Sequence, residues 1–290
     1  MSSIFNHIKE WLSKIIQWNK KKTLPKIKQQ ISKQISITNV IDDKIELSII
    51  TFPNEEKESR GFQIKNKTFE NCIFSKSKIN RHTFINCSFI NCYFNGTEII
   101  ESEFHKCKFF ECCFFKANFS ATYIDPASFY FSFNWHWYWA NVNAWFFQSL
   151  YRNSKDMHQE KFAMQADKKF QFYKRYEYLR GQKLQLKKFF LSFLYDYTLG
   201  YGYGIKNALT VTLMLITGFA FLIQGHLIKG DNDFFQALYF SIVSFTTVGY
   251  GDTTPELNMI LPMSITMAFL IISMIWFAVV TAIIVKRIVK

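Results

Sequence analysis

The chain has 290 residues, a net charge of +13, and 19% aromatic residues that include 33 Phe. That length holds two domains, and the Phe count exceeds what one ordinary core absorbs. The positive charge fits anionic lipid, a positive-inside bias or nucleic acid. Two long uncharged apolar stretches near the C-terminus favour the first two. No nucleophile–base pair, phosphate-cradling loop or metal-ligand spacing stands out, so neither an enzyme nor a cofactor is expected.

Residues 1–60 form a first region. From Ser3 to Trp18, the side chains Phe5, Ile8, Leu12, Ile15 and Ile16 recur at helical spacing. Lys20, Lys21, Lys22, Lys26, Lys28 and Lys33 follow. Such a basic amphipathic helix can lie on a membrane, pack on a protein partner or cap the next domain. Lys9, Glu10 and Lys14 interrupt it, unlike a secretory signal. Residues 45–52 read as a strand, and Pro53 to Arg60 as a charged loop.

A second region, 61–134, has a period of five. An apolar residue recurs at Ile64, Phe69, Phe74, Ile79, Phe84, Phe89, Phe94, Ile99, Phe104, Phe109, Phe114, Phe119, Ile124 and Phe129, fourteen positions without a break. A small residue usually precedes it by two places: Cys72, Ser77, Cys87, Cys92, Thr97, Ser102, Cys107, Cys112, Ala117, Thr122 and Ala127, with Lys67 and His82 departing. Two places after stand Asn66, Asn71, Asn86, Asn91 and Gly96, which tolerate left-handed backbone. Period five fits neither a helix nor a flat strand, but it fits a solenoid with one pentapeptide per side. Cys72, Cys92 and Cys112 are spaced by twenty, as are Cys87 and Cys107, so like residues would stack in columns. Packing is the better reading for all six cysteines, because no zinc spacing is present and a free thiol behaves as a small hydrophobe. The pattern resembles the pentapeptide-repeat family, which implies a right-handed quadrilateral β-helix with twenty residues per coil, here facing a reducing cytosol. Some members of that family imitate DNA with an acidic surface. Residues 64–129 hold eight Lys/Arg against six Asp/Glu. That balance argues against mimicry and leaves a scaffold, or a site for an unknown ligand or protein partner.

The third region, 135–204, opens in an aromatic run, Tyr130 to Phe147, that includes Trp135, Trp137, Trp139 and Trp145. It is either a cover for the open end of the solenoid or an aromatic ligand pocket. His136 within it is either a pH sensor or structural. Ser154 to Gly181 reads as one helix, with Phe162, Ala166, Phe170, Tyr173, Tyr176 and Leu179 on a stripe and Gly181 to end it. Lys183 to Tyr197 mixes Lys187 and Lys188 with aromatics, as at a cytoplasmic membrane interface. Gly200, Gly202 and Gly204 allow a sharp turn.

The last region, 205–290, holds two uncharged apolar stretches, Ala208 to Leu227 and Ile260 to Val285, each long enough to cross a bilayer. Lys206 precedes the first, Lys286, Arg287 and Lys290 follow the second, and the loop between them is acidic. The positive-inside rule then puts both termini in the cytoplasm of a multi-pass inner-membrane protein. Between the spans, Asp231-Asn232-Asp233 offers an N-cap for a short apolar helix, Phe234 to Ser241. The stretch Thr246-Thr247-Val248-Gly249-Tyr250-Gly251-Asp252 comes next.

This stretch resembles the selectivity filter of potassium channels. The resemblance implies K+ coordination by Thr247, Val248, Gly249, Tyr250 and Gly251, with K+ as the permeant ion and no other metal. Thr246, Asp252 and Tyr239 would support the filter. One chain supplies one wall, so a homotetramer in a lipid bilayer follows. The implied fold is a membrane all-α two-helix pore module, with pore helix and filter, joined to the cytosolic β-helix. Two departures stand out. The second span has no glycine to bend at, and Val243 is apolar where some relatives place an acid. Ser273, Trp276, Phe277, Val280 and Thr281 are candidates for a lower cavity or gate, or else face lipid. No span carries regularly spaced arginines, which argues against a voltage sensor. The expected function is a potassium-selective channel gated by the repeat domain. The alternative is a membrane-tethered scaffold with a silent or non-selective pore.

Overall fold

The computed structural model describes residues 33–40, 42–52, 61–180, 184–228, 233–256 and 258–288. The helix expected at 3–18, the loop at 53–60, Gly181, Asp231 and Asn232 lie outside them. The chain divides into two compact units, Met1–Ser192 and Phe193–Lys290.

The first unit is built on a β-solenoid of parallel ladders. Strands Gln63–Lys65, Thr83–Ile85, Glu103–His105 and Tyr123–Ile124 stack on one face. Strands Lys44–Glu46, Thr68–Glu70, Ser88–Ile90, Lys108–Phe110 and Phe129–Tyr130 form the next. Lys78–Asn80, Glu98–Ile100 and Asn118–Ser120 make the third. The fourth is a line of single bridges joining Ile49, Ile73, Tyr93 and Cys113. Partners within the repeat are twenty residues apart, as Phe69↔Phe89 and Phe89↔Phe109 show.

All fourteen predicted apolar positions are buried. The rings stack in columns: Phe69 on Phe89 at 5.1 Å, Phe89 on Phe109 at 4.8 Å and Phe109 on Phe129 at 4.5 Å between centroids. Each fully buried Phe contributes about 1.5–3 kcal/mol by transfer alone, with about 0.5–1.5 kcal/mol more per favourable ring pair. The small position has its own logic, because its side chain donates to the carbonyl of the apolar residue twenty-three places back. Thr97 Oγ1 donates to Phe74 O at 2.7 Å, Ser102 Oγ to Ile79 O at 3.2 Å, and Cys92 Sγ to Phe69 O at 3.3 Å. A small donor therefore fits where an isosteric apolar group would strand a carbonyl.

Several expectations change. Residues 45–52 are two sides of a coil rather than one strand: Lys44–Glu46 and Ser48–Thr51 are separated by a corner at Leu47, φ 48°. Ile45 and Ile50 both point inward, so the solenoid begins before the recognisable repeat. Lys67 departs from the small position because its ammonium pairs with Asp43 at 3.0 Å. Ala127 is exposed, since Pro126–Ser128 is a 3-10 turn in which Pro126 is buried instead.

The aromatic run becomes two helices, α1 (Phe133–Tyr138) and α2 (Ala140–Asp156). Phe146 of α2 stacks on Phe114 at 4.5 Å, continuing the Phe74–Phe94–Phe114 column as a further coil would. Asn153, also on α2, satisfies the backbone of Thr122: its Oδ1 accepts from Thr122 N at 3.0 Å and its Nδ2 donates to Thr122 O at 2.7 Å. The run is therefore a cover for the last coil. His136 lies against Phe172 and Tyr173 at centroid distances of 5.1 and 5.4 Å, and burial lowers its pKa.

The helix expected at 154–181 is broken. Ser154 lies fully buried in the last turn of α2, which runs to Asp156, the chain turns at His158 with φ 55°, and α3 starts afresh at Glu160–Arg180. Apolar spacing continues across the break, which hides it from periodicity. Lys169 of α3 donates to the carbonyls of Pro126 and Phe129 at 2.8 and 3.1 Å, and burial pushes its pKa down to about 8. Helix α4 (Leu186–Leu199) buries none of its side chains and exposes Phe190, Leu191, Phe193, Leu194 and Tyr197.

The second unit contains α5 (Ile205–Ile223), α6 (Phe234–Phe245) and α7 (Ile260–Ile288). The first apolar stretch ends earlier than expected as a helix, because Leu227–Ile228 pairs antiparallel with Thr254–Pro255. Phe219, Ile223, Ala237, Phe240, Phe245 and Phe269 make a small core between the three helices. Most of the remaining apolar surface of α5 and α7 is exposed, including Leu213, Phe221, Leu222, Leu261, Ile271 and Met274. In water that surface would be a liability, whereas in a bilayer it is the expected lipid- or subunit-facing face.

Before Ile205 the chain passes a tight turn. Tyr201 is buried at φ 57°, and a Cβ on Gly204 would sit 3.0 Å from Gly200 N and Cα. Gly204 is thus required by close backbone approach.

Candidate functional site: the loop after α6

Helix α6 begins at Asp233, whose Oδ1 accepts from Gln236 N at 2.8 Å. This is the N-cap expected of a carboxylate before an apolar run. At the other end, Thr246 is the C-cap. Thr247 N donates to Ser244 O at 3.2 Å and Val248 N to Val243 O at 3.1 Å. Those two bonds, with Thr247 at φ 58°, form a Schellman cap.

A β-branched residue in the left-handed region is uncommon and strained. Gly249 and Gly251 follow at φ 59° and 73°, whereas Val248 and Tyr250 have no positive φ. Backbone handedness thus alternates through residues 247–251. Nothing lies within 4 Å of a Cβ built on Gly249 or Gly251, so handedness rather than crowding demands glycine there. The two glycines were legible from sequence, but Thr247 was not, since only the closure of α6 forces it.

Val248 and Tyr250 project outward, 52% and 71% exposed. Tyr239 on α6 donates its hydroxyl to Asp252 Oδ2 at 2.8 Å, tying the helix to the far end of the loop. Asp252 Oδ1 accepts from Thr253 N at 3.0 Å. Thr246 Oγ1 returns to Ile242 O at 2.8 Å. Beyond the loop, the ring of His226 stands 3.7 Å from Glu256 across the short antiparallel pair.

The five α7 candidates fall on different sides. Ser273 is buried, and its Oγ donates to Phe269 O at 2.7 Å. Trp276 Nε1 donates to Thr212 Oγ1 of α5 at 2.8 Å. Trp276 therefore faces α5, and Ser273 lies one turn before it on α7. Phe277 is exposed, with its ring edge-on to Phe245 at 6.4 Å. Val280 is half-buried and Thr281 exposed. Among the described residues no group of three metal-ligating side chains occurs.

Residues 209–290 match a family model described as "Ion channel". Over 52 residues the chain is 48% identical to "Probable potassium channel protein 2" of Methanocaldococcus jannaschii. That overlap covers 18% of this chain and only 14% of the relative's length. Among solved structures, QnrB1, a plasmid-mediated fluoroquinolone resistance protein, aligns at 16% identity and TM-score 0.18, covering 32% of this chain and 51% of that one. Residues 209–290 form an ion-channel domain with a two-helix architecture, similar to potassium channels. The chain is a membrane protein that joins this domain to a pentapeptide-repeat-like β-solenoid.

Proposed function

We propose that the protein is a tetrameric, potassium-selective channel for passive transport. The observation that carries this reading is the loop at 247–251, whose handedness alternates between the C-terminus of α6 and the Tyr239–Asp252 bond. Alternation turns successive carbonyls toward one side, which is what replacing the water of a K+ ion requires. Thr247, Val248, Gly249, Tyr250 and Gly251 form the filter wall of one subunit. Thr246, Tyr239 and Asp252 hold it. The C-terminal end of α6 contributes a negative dipole end near the ion path. The exposed Val248 and Tyr250 side chains brace against neighbouring copies, so the site is complete only in the assembly.

Lys206 before α5 and the acids Asp233, Asp252 and Glu256 between the spans orient the loop outward, with both termini in the cytoplasm. The outer acids raise the local cation concentration. Phe277, Val280 and Thr281, past the contact with α5, form the constriction. The solenoid biases the helices between open and closed states.

Ion flux from liposomes loaded with K+ and bathed in Na+ tests the proposal. The expected reversal potential lies near the K+ equilibrium value and vanishes with Gly249→Asp. Equal Na+ permeation would overturn selectivity. Unaltered open probability after deletion of residues 1–150 would overturn gating by the solenoid.

A further inference from the structure

The second span lacks a glycine, so whatever bends or tilts it must be set by contacts. Two contacts between α5 and α7 define where it is held. The rings of Phe219 and Phe269 stack at 3.8 Å with planes 6° apart. Seven residues along each helix, Trp276 Nε1 donates to Thr212 Oγ1 at 2.8 Å. Seven residues rise about 10.5 Å, so the contacts lie two turns apart on antiparallel helices. Ser273, fully buried between them, is small enough to let the helices approach.

The polarity of the lower contact is fixed. Thr212 Oγ1 donates its own proton to Ala208 O at 2.9 Å, so its lone pairs remain to accept. An indole N–H has no second role, since it only donates. In a hydrocarbon surrounding without water it must find an acceptor. Past Trp276, Ile283 is the one buried side chain among the described residues of α7, whereas Thr266, Phe269 and Ser273 are all buried before it. The helix is thus held to α5 down to Trp276 and loosely held after it.

We propose that Trp276 and Thr212 form an interhelical latch, which fixes the boundary between the held and movable parts of α7 and so sets the open–closed equilibrium. Trp276 is a positioning residue acting through the helix it anchors. This rests on the channel reading above, although the bond itself does not.

The experiment compares the full-length protein with Trp276→Phe, Thr212→Val and the double variant, reconstituted in liposomes for single-channel recording. Each single change is expected to shift the open–closed equilibrium constant about three- to twenty-fold in the same direction, the range of measured interhelical bonds in membranes. The double variant should shift it no further. Thr212→Ser, which keeps the hydroxyl, should behave as wild type. Independent shifts that multiply, or unaltered gating with Thr212→Val, would overturn the latch.

A second readout does not depend on conduction. With 15N-labelled tryptophan in detergent micelles, Trp276→Phe identifies the Trp276 indole resonance. That resonance should move upfield with Thr212→Val and stay with Thr212→Ser. An unmoved resonance overturns the latch. A silent wild-type protein with the expected resonance shift overturns the channel reading instead.

Discussion

Replacing Asn153 by Ala should unlock the last coil of the solenoid. Asn153 is buried, and its amide gives both an acceptor and a donor to the backbone of Thr122. The ladder has no further coil to serve that backbone, since the strand Tyr123–Ile124 is the last of its sheet. Ala removes both partners at once and leaves a buried N–H and a buried C=O unpaired, at about 1–3 kcal/mol each. A combined cost of about 2–6 kcal/mol corresponds to more frequent local opening by roughly 30- to 25,000-fold. Hydrogen exchange with mass spectrometry on the full chain reads this directly. Amides in peptides covering residues 98–124 should lose protection by that factor, while residues 68–90 keep theirs. Asn153→Asp should also fail, because a carboxylate accepts from Thr122 N but faces Thr122 O with a like partial charge. A loss of protection below about threefold in 98–124 would refute the view that α2 closes the solenoid through this side chain.

Three other outcomes follow from the structure. Tyr239→Phe deletes the bond to Asp252 while preserving the ring, and should lower the conducting fraction of channels by up to about tenfold, as one hydrogen bond of about 0.5–1.5 kcal/mol allows; single-channel recording checks it. His82 is buried, its ring nitrogens have no hydrogen-bond partner among the described residues, and burial lowers its pKa below 6.5. Its unfolded form binds the proton more tightly, so this stability is full above about pH 6.5 and is lost as pH falls below it toward the folded pKa. Thermal unfolding at pH 7.5 and 5 should show a drop that His82→Met removes. All six thiols are free and buried, and burial pushes Cys113 up to about 11 and raises Cys92. Reaction requires the thiolate, so maleimide labelling at pH 7.5 should be slow in the native protein and reach six per chain in denaturant.

The five-residue period by itself determined the solenoid and which fourteen side chains fill it, because burial in a repeating coil is written into every fifth residue. The N-cap at Asp233 and the two glycines of the filter loop were equally legible, since capping and left-handed backbone have local chemical signatures. Tertiary structure decided the rest. Lys76, Arg81, Glu101, Lys106, Glu111, Lys116 and Ala121 hold left-handed corners like their Asn and Gly counterparts. They have no local preference for them, and bonds such as Arg81 N to Ile100 O belong to the neighbouring coil. The break at His158 was invisible because apolar spacing runs through it, and only the packing of α2 against α3 requires a reversal. Thr247 is left-handed because α6 must close. Trp276 faces Thr212, sixty-four residues away in sequence, because α5 and α7 meet there. Periodicity and turn chemistry act within a few residues and can be read along the chain, whereas which carbonyl or hydroxyl waits across an interface is fixed only when the chain has folded.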